Sequence, residues 1–149
     1  MNSINLTFLG VPQAKQGDKS RIAGAKGGKQ FVHHYQSAKV KKAENNIRAS
    51  AEMQLPNNFL PFDEPIGVKA LFVFPPLKTF PKYKKAEIDK GIIIYRDTKP
   101  DLTDNLMKGL CDALEGVVFV NDSRICKVES EKIYGNKPRI EIEIFKIAK

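Results

Sequence analysis

No stretch of this chain approaches the roughly 18 apolar residues of a membrane span. The longest, Ala70 to Phe74 with its flanks, stops at Pro75-Pro76, so no transmembrane helix is expected. Residues 1–10 lack a basic stretch followed by an apolar core, and a signal peptide is not expected either. Cysteine is scarce: Cys111 and Cys126 have neither zinc-like nor redox spacing, which fits a reduced cytoplasmic interior. Histidine is limited to the adjoining His33 and His34 in a basic stretch, where a loop or phosphate contact is the simpler role. No His-rich or Cys-rich set therefore competes for zinc. No internal repeat is visible, and residues 1–14 carry no charge at all.

What is present is a 149-residue chain with 42% hydrophobic and 28% charged residues, the balance of one soluble globular domain over residues 1–149. Its net charge is +8 and its pI about 9.5, which points toward a polyanionic partner, most often nucleic acid. The charge is unevenly placed. Residues 15–48 carry a net +7 through Lys15, Lys19, Arg21, Lys26, Lys29, Lys39, Lys41, Lys42 and Arg48 against Asp18 and Glu44. Residues 101–122 reverse the sign: Asp101, Asp104, Asp112, Glu115 and Asp122 stand against Lys108, a net of −4. A protein that only coats phosphates gains nothing from five carboxylates repelling its ligand. Carboxylates holding a cation that phosphate also needs would resolve the contrast.

Pattern predicts an α+β fold, with a mixed or antiparallel sheet covered by two main helices. Residues 4–9 alternate as a strand, and the glycine-rich basic stretch of about 12–35 reads as a mobile loop. Ser37 is a candidate N-cap for a helix on which Val40, Ala43, Ile47, Ala51 and Met53 keep helical spacing until Pro56. Ile66 to Phe74 is an apolar strand. Lys78, Lys82, Lys84 and Lys85 interleave with Phe80 and Tyr83 around a short helix, and Gly91 to Tyr95 holds a short strand. Residues 103–116 form the best-signalled helix, closed by Gly116. Ile125 to Tyr134 and Arg139 to Ile147 alternate as two strands, and the short turn at 135–138 reads as an antiparallel hairpin.

On a helix of about 100° per residue, with Asp104 at zero, Glu115 falls at about 20°, Lys108 at about 40°, Asp101 at about 60° and Asp112 at about 80°. Leu106, Met107, Leu110, Ala113, Leu114 and Val117 occupy the opposite arc. Acids in a first turn suit the helix dipole, Asp104 and Lys108 have ion-pair spacing, and Asp101 suits an N-cap, so a solvated face is the plain reading. Two features favour a site. Like charges concentrate where the rest of the chain is basic, and Asp122 sits in a turn-like Val120-Asn121-Asp122-Ser123 just before a strand. Carboxylates from a helix start and a neighbouring loop are the hard oxygen ligands that Mg²⁺ prefers, with water and phosphate completing an octahedron.

These residues carry a resemblance. Lys99-Pro100-Asp101-Leu102-Thr103-Asp104-Asn105-Leu106-Met107-Lys108, then Asp112-Ala113-Leu114, Gly116-Val117-Val118 and Asn121-Asp122-Ser123 resemble the RusA family of Holliday junction resolvases. The opening strand with Pro12 and Lys15, the strand ending at Pro75-Pro76 and the closing Tyr134-Gly135 follow the family's order, so the likeness spans nearly the whole chain. It implies a small homodimeric, magnesium-dependent endonuclease, with Mn²⁺ as a possible substitute, that nicks four-way DNA junctions symmetrically in recombination and repair. By the same likeness Asp101, Asp104 and Asp122 are the metal ligands, and Lys108 is the fourth catalytic residue. No organic cofactor and no membrane partner are implied; a bacterial or prophage origin and a cytoplasmic, nucleoid-associated location are. Two departures stand out: Leu102 and Thr103 both intervene where the family has one residue between its first two aspartates, and the family's acidic pair is reduced to Asn121-Asp122. If the extra residue turns Asp101 away, Asp97 or another acid would substitute.

Phosphodiester hydrolysis needs an activated water, stabilised charge on the phosphorus centre and help for the leaving 3′ oxygen. A bound Mg²⁺ supplies the first two, and Lys108 would stabilise charge or position water, unless it serves only as an ion-pair partner of Asp104. DNA contact is expected from Lys15, Lys19, Arg21, Lys26, Lys29, Lys39, Lys41, Lys42, Lys82, Lys84 and Lys85. Phe80 and Tyr83 are candidates for stacking on bases at an opened junction centre, against the commoner role of packing. Paired nicking requires two active sites at fixed separation, hence a homodimer. The alternatives are a nuclease with a different preference among branched or forked DNA, and a catalytically inactive basic nucleic-acid-binding protein.

Overall fold

Ile66–Phe74 is a near-continuous apolar run interrupted only by Lys69, the pattern of a strand in the interior of a sheet. In the computed structural model, which describes the backbone of residues 1–13, 19–23, 31–35 and 38–147 and the side chains of 1–13 and 38–147, this run is that central strand. The chain order is β1 (Ser3–Leu9), β2 (Lys19–Ala23), β3 (Phe31–Tyr35), α1 (Ala38–Gln54), β4 (Ile66–Phe74), α2 (Lys82–Asp89), β5 (Ile94–Tyr95), α3 (Lys108–Leu114), β6 (Ile125–Tyr134) and β7 (Arg139–Lys146). The main sheet runs β1-β7-β4-β6-β5. β4 pairs parallel with β6 and antiparallel with β7, while β1 and β5 close the two edges antiparallel.

The expected hairpin between β6 and β7 does not form, because β4 lies between them. The turn at 135–138 crosses over the end of β4, where the Gly135 N–H donates to the Phe74 carbonyl at 2.8 Å. A Cβ on Gly135 would meet Val73 Cγ1 at 2.7 Å, so the crossing is close enough to require glycine. Alternation alone could not show this: a strand pattern specifies faces, not partners.

Alternate residues of β1, β7 and β4 point to one face, where Ile4, Leu6, Phe8, Ile140, Ile142, Ile144, Val68, Ala70 and Phe72 are buried. Ala51 of α1 and Leu110 and Leu114 of α3 join them in one cluster. Each fully buried large side chain contributes roughly 1.5–3 kcal/mol. The opposite face is polar and lined by Asn5, Lys69, Glu129, Glu131, Glu141 and Glu143. The Gln54 amide at the end of α1 brackets the edge strand β1, accepting from Thr7 N–H at 2.9 Å and donating to the Thr7 carbonyl at 2.8 Å.

The sheet is thus mixed and the architecture α+β, with the two main helices α1 and α3 and the short helix α2 around Lys82–Lys85, as the pattern predicts. Strands β2 and β3 pair antiparallel within the stretch read as a loop; Phe31-Val32-His33-His34-Tyr35 has the aromatic and β-branched content of a strand, which the surrounding glycines obscured. Ser37 lies outside the described residues. Met53, included in the helical spacing, is 87% exposed, because at about 100° per residue it falls about 220° from Val40, away from the face of Val40, Ile47 and Ala51. Among the described residues no helix is long and apolar enough to cross a membrane.

Candidate functional site

The acidic segment does not begin as the regular helix its spacing predicts. Residues Leu102–Met107 form a π-helical turn that leads directly into α3. The Leu106 N–H donates to the Asp101 carbonyl, five residues back, at 3.0 Å, while Asn105 N–H reaches the same oxygen at 3.3 Å. A π turn holds one residue more than an α turn. Leu102 and Thr103, between Asp101 and Asp104, lie within this wider turn, and Leu106, Met107, Leu110 and Leu114 after it face the core.

Asp101 occupies the N-cap position in extended conformation, with φ −66° and ψ 136°, but its carboxylate makes no capping hydrogen bond. Its backbone N–H donates to Asn105 Oδ1 at 3.1 Å instead. Asp101, Asp104 and Lys108 are all exposed, and among the described residues no ion pair joins Asp104 to Lys108. The two plain explanations for these acids, capping and i,i+4 pairing, are therefore not the ones realised.

The far end of the stripe gathers three carboxylates. One ligand oxygen each from Asp112, Glu115 and Asp122 lies within 4.8 Å of the others. Asp101 and Asp104 fall outside this group, and Asp122 is the member that the sequence also singled out. Asp112 projects from the last turns of α3, and Glu115 is its extended C-cap residue. Asp122 opens a 3₁₀ turn, Asp122–Arg124, that precedes β6. Gly116, at φ +83°, ends α3 in the left-handed conformation that favours glycine and turns the chain back. The Asp122 N–H then donates to Glu115 Oε1 at 3.3 Å, and the Asn121 side chain caps its turn by accepting from Ser123 N–H at 2.9 Å. Phe62 pins the intervening loop through its N–H to Val118 and its carbonyl to Val120, both at 2.9 Å.

Arg48 reaches the same place from α1. Its Nε donates to the Ala113 carbonyl at 3.1 Å and its Nη2 to the Asp112 carbonyl at 3.2 Å, satisfying last-turn carbonyls that have no partner within the helix. Beneath the acids, the Cys111 thiol is pushed up to about 11, first by burial and then by the charges of Asp112, Asp122 and Glu115. It stays a neutral thiol near neutral pH, which leaves a hard, oxygen-only donor set. Octahedral Mg²⁺ at about 2.1 Å places its ligand oxygens about 3 to 4 Å apart. Oxygens already within 4.8 Å of one another fit that ion with small side-chain adjustments.

Asp112 and Glu115 stand on the acidic face in sequence but outside the expected ligand set; their angles of about 80° and 20° are the signal that could have found them. Arg48 carried no such signal, since its partners are more than sixty residues away.

The basic residues divide by location. Lys39, Lys41 and Lys42 are exposed on α1, and Lys39 and Lys42 border a groove of about 290 Å³ with Phe8, Ile47 and Ile140 in its lining. Lys82 and Lys85 are exposed on α2. Lys84 instead lies 4.2 Å over the Phe80 ring, and Phe80 packs edge-on against Tyr134 at 4.8 Å, so Phe80 is a packing aromatic. Tyr83, 69% exposed, is the aromatic of this pair open to a partner. Lys19 and Arg21 belong to β2, with side chains outside the described set; Lys15, Lys26 and Lys29 lie outside the described residues.

Residues 10–145 match the family model described as Endodeoxyribonuclease RusA. The chain is also 28% identical over 148 residues to "Uncharacterized protein YqaN" of Bacillus subtilis (strain 168), covering 99% of each chain.

Proposed function

The chain belongs to the RusA endodeoxyribonuclease family and is thus a nuclease, and from that premise we propose that it resolves four-way DNA junctions by paired nicks as a magnesium-dependent homodimer. The observation that carries the reading is an oxygen-only acidic stripe ending in three convergent carboxylates, inside a chain whose net charge is otherwise positive. Asp101, Asp104 and Asp122 would hold the ion, with Asp112 and Glu115 beside Asp122. When bound, Mg²⁺ lowers the pKa of its water and neutralises phosphate oxygens.

Around it the chain's own groups orient the substrate. Lys108 extends from the same helical face as the acids, where its ammonium would stabilise charge on the phosphate oxygens or fix the attacking water. Lys39, Lys41, Lys42, Lys82 and Lys85 would contact the backbone phosphates of the arms, joined by Lys15, Lys19, Arg21, Lys26 and Lys29 of the preceding segment. Lys84 would act through its contact with Phe80 as much as through phosphate.

A second composition of the ligand shell is favoured by the convergence of Asp112, Glu115 and Asp122: these three as the primary site, with Asp101 and Asp104 outside it. Labelled four-way, forked and linear DNA incubated with Mg²⁺ or EDTA tests the function, and Asp104→Asn against Asp112→Asn tests the shell. Cleavage of the four-way substrate with Mg²⁺ alone is expected. Asp104→Asn should keep junction binding and lose at least a hundredfold in rate, about 2.7 kcal/mol of barrier. Absence of cleavage on all three substrates with Mg²⁺ refutes the proposal. A greater loss in Asp112→Asn than in Asp104→Asn selects the second shell.

A further inference from the structure

Lys132 is a charged residue on the wrong face of its strand. It pairs in register with Phe72, on the side of the sheet that carries the helices, where its neighbours along β4 and β6 are Ala70, Phe74 and Tyr134. Its ammonium donates to the Thr98 carbonyl at 2.6 Å and to the Pro100 carbonyl at 2.8 Å. The carbonyl between them, Lys99, accepts from Arg96 Nε at 3.0 Å and Nη2 at 2.7 Å. Arg96 is itself seated: its backbone N–H donates to the Lys132 carbonyl at 2.9 Å, and its guanidinium lies 4.4 Å over the Phe74 ring. With Asp101 O accepting from Asn105 and Leu106, four consecutive carbonyls from Thr98 to Asp101 are held, three of them by these two cations.

The held segment ends at Asp101, whose carboxylate makes no capping hydrogen bond of its own. The position of that carboxylate is therefore inherited from the backbone that delivers it. We propose that Lys132, backed by Arg96, is a positioning residue that fixes the Asp101 carboxylate for a divalent cation. This rests on the reading of Asp101 as a ligand. Groups that orient a ligand without touching the ion commonly matter about tenfold or more in metal affinity.

The test titrates Mn²⁺ into the full-length protein, followed by electron paramagnetic resonance of the free ion, for the wild type, Lys132→Met, Asp101→Asn and the double variant. Thermal melts establish that each is folded at the titration temperature. Lys132→Met is expected to weaken Mn²⁺ binding about tenfold, Asp101→Asn to weaken it as well, and the double variant to bind no more weakly than Asp101→Asn. A purely structural role would leave Mn²⁺ affinity unchanged in the folded Lys132→Met protein, and that result overturns the proposal. So does a double variant in which the two losses multiply, because Lys132 would then not act through Asp101. Wild-type affinity in Asp101→Asn removes the ligand reading itself, and the role of Lys132 with it; a defect in Lys132 alone cannot produce that pattern. Should Lys132→Met fail to fold, Lys132→Gln, which keeps one amide donor, takes its place in the cycle.

Discussion

Deleting Thr103 should leave the fold intact. In the π turn the Leu106 N–H bonds to the Asp101 carbonyl five residues away, at 3.0 Å, and Thr103 is an exposed residue between them. Without Thr103 the same donor and acceptor stand four apart, which is the α-helical spacing. The helix can then close with its end points unmoved, and Leu106, Met107, Leu110 and Leu114, at 1, 7, 2 and 0% exposure, keep their seats. The expected change is under about 1 kcal/mol, or about 2–4 °C in melting temperature for a chain of this size. The opposite case is easy to distinguish. If the turn did not absorb the deletion, everything after it would rotate by about 100°, and four core side chains would leave their sites at roughly 2–5 kcal/mol each. The sum, about 8–20 kcal/mol, is comparable to or larger than the total stability of most domains, about 5–15 kcal/mol. Thermal unfolding followed by circular dichroism separates the two outcomes. Loss of a cooperative transition, or destabilisation beyond about 3 kcal/mol, refutes the account of the π turn as a container for the extra residue.

Arg48→Met keeps most of the aliphatic stem but removes both donors to the Ala113 and Asp112 carbonyls. The loss should be about 1–3 kcal/mol in urea unfolding, and an unchanged midpoint would show that water replaces the guanidinium without cost. The two cysteines should differ sharply toward a thiol-alkylating reagent: Cys126 is exposed, whereas Cys111, with its pKa raised to about 11, holds about a thousandth of its molecules as thiolate at pH 8. Because the raised value favours the protonated form, Cys111 labelling should climb as pH rises toward 11 while the fold persists. Equal labelling rates at pH 8, read by mass spectrometry, would contradict the placement of Cys111 among the acids.

Strand and helix identity were largely legible because each element carries its own period. Ile66–Phe74 matches to the residue, stopped by Pro75-Pro76, and β7, expected over Arg139–Ile147 from its alternating isoleucines, ends one residue sooner at Lys146. Partnership was not legible. The short link at 135–138 suggested a hairpin, yet β4 needs cover on both edges, and β6 and β7 supply it. The π turn was hidden for a related reason: a helical wheel assumes one pitch, and the extra residue shows only as a spacing departure between Asp101 and Asp104.

The site was legible where chemistry and locality coincide, and illegible where ordinary residues act at a distance. Five carboxylates within 101–122 announced themselves by contrast with a basic chain, whereas Lys132, Arg96 and Arg48 counted only toward its excess of charge. The structure divides that excess into two kinds. Arg48, Arg96 and Lys132 hold carbonyls, Lys84 covers Phe80, and Arg124, Arg139 and Lys146 face Asp63, Glu141 and Glu64. Cations committed to fixed partners release fewer counterions to an incoming phosphate than solvated ones do. Among the described residues, exposed lysines stand on α1 and α2 and also at Lys78, Lys90, Lys99, Lys127 and Lys137, while Arg48, Arg96 and Lys132 hold backbone of the acidic segment and of the chain leading into it. A net charge of +8 thus overstates the number of uncommitted cations and understates how much of the basic content is bonded to the backbone around the acidic stripe.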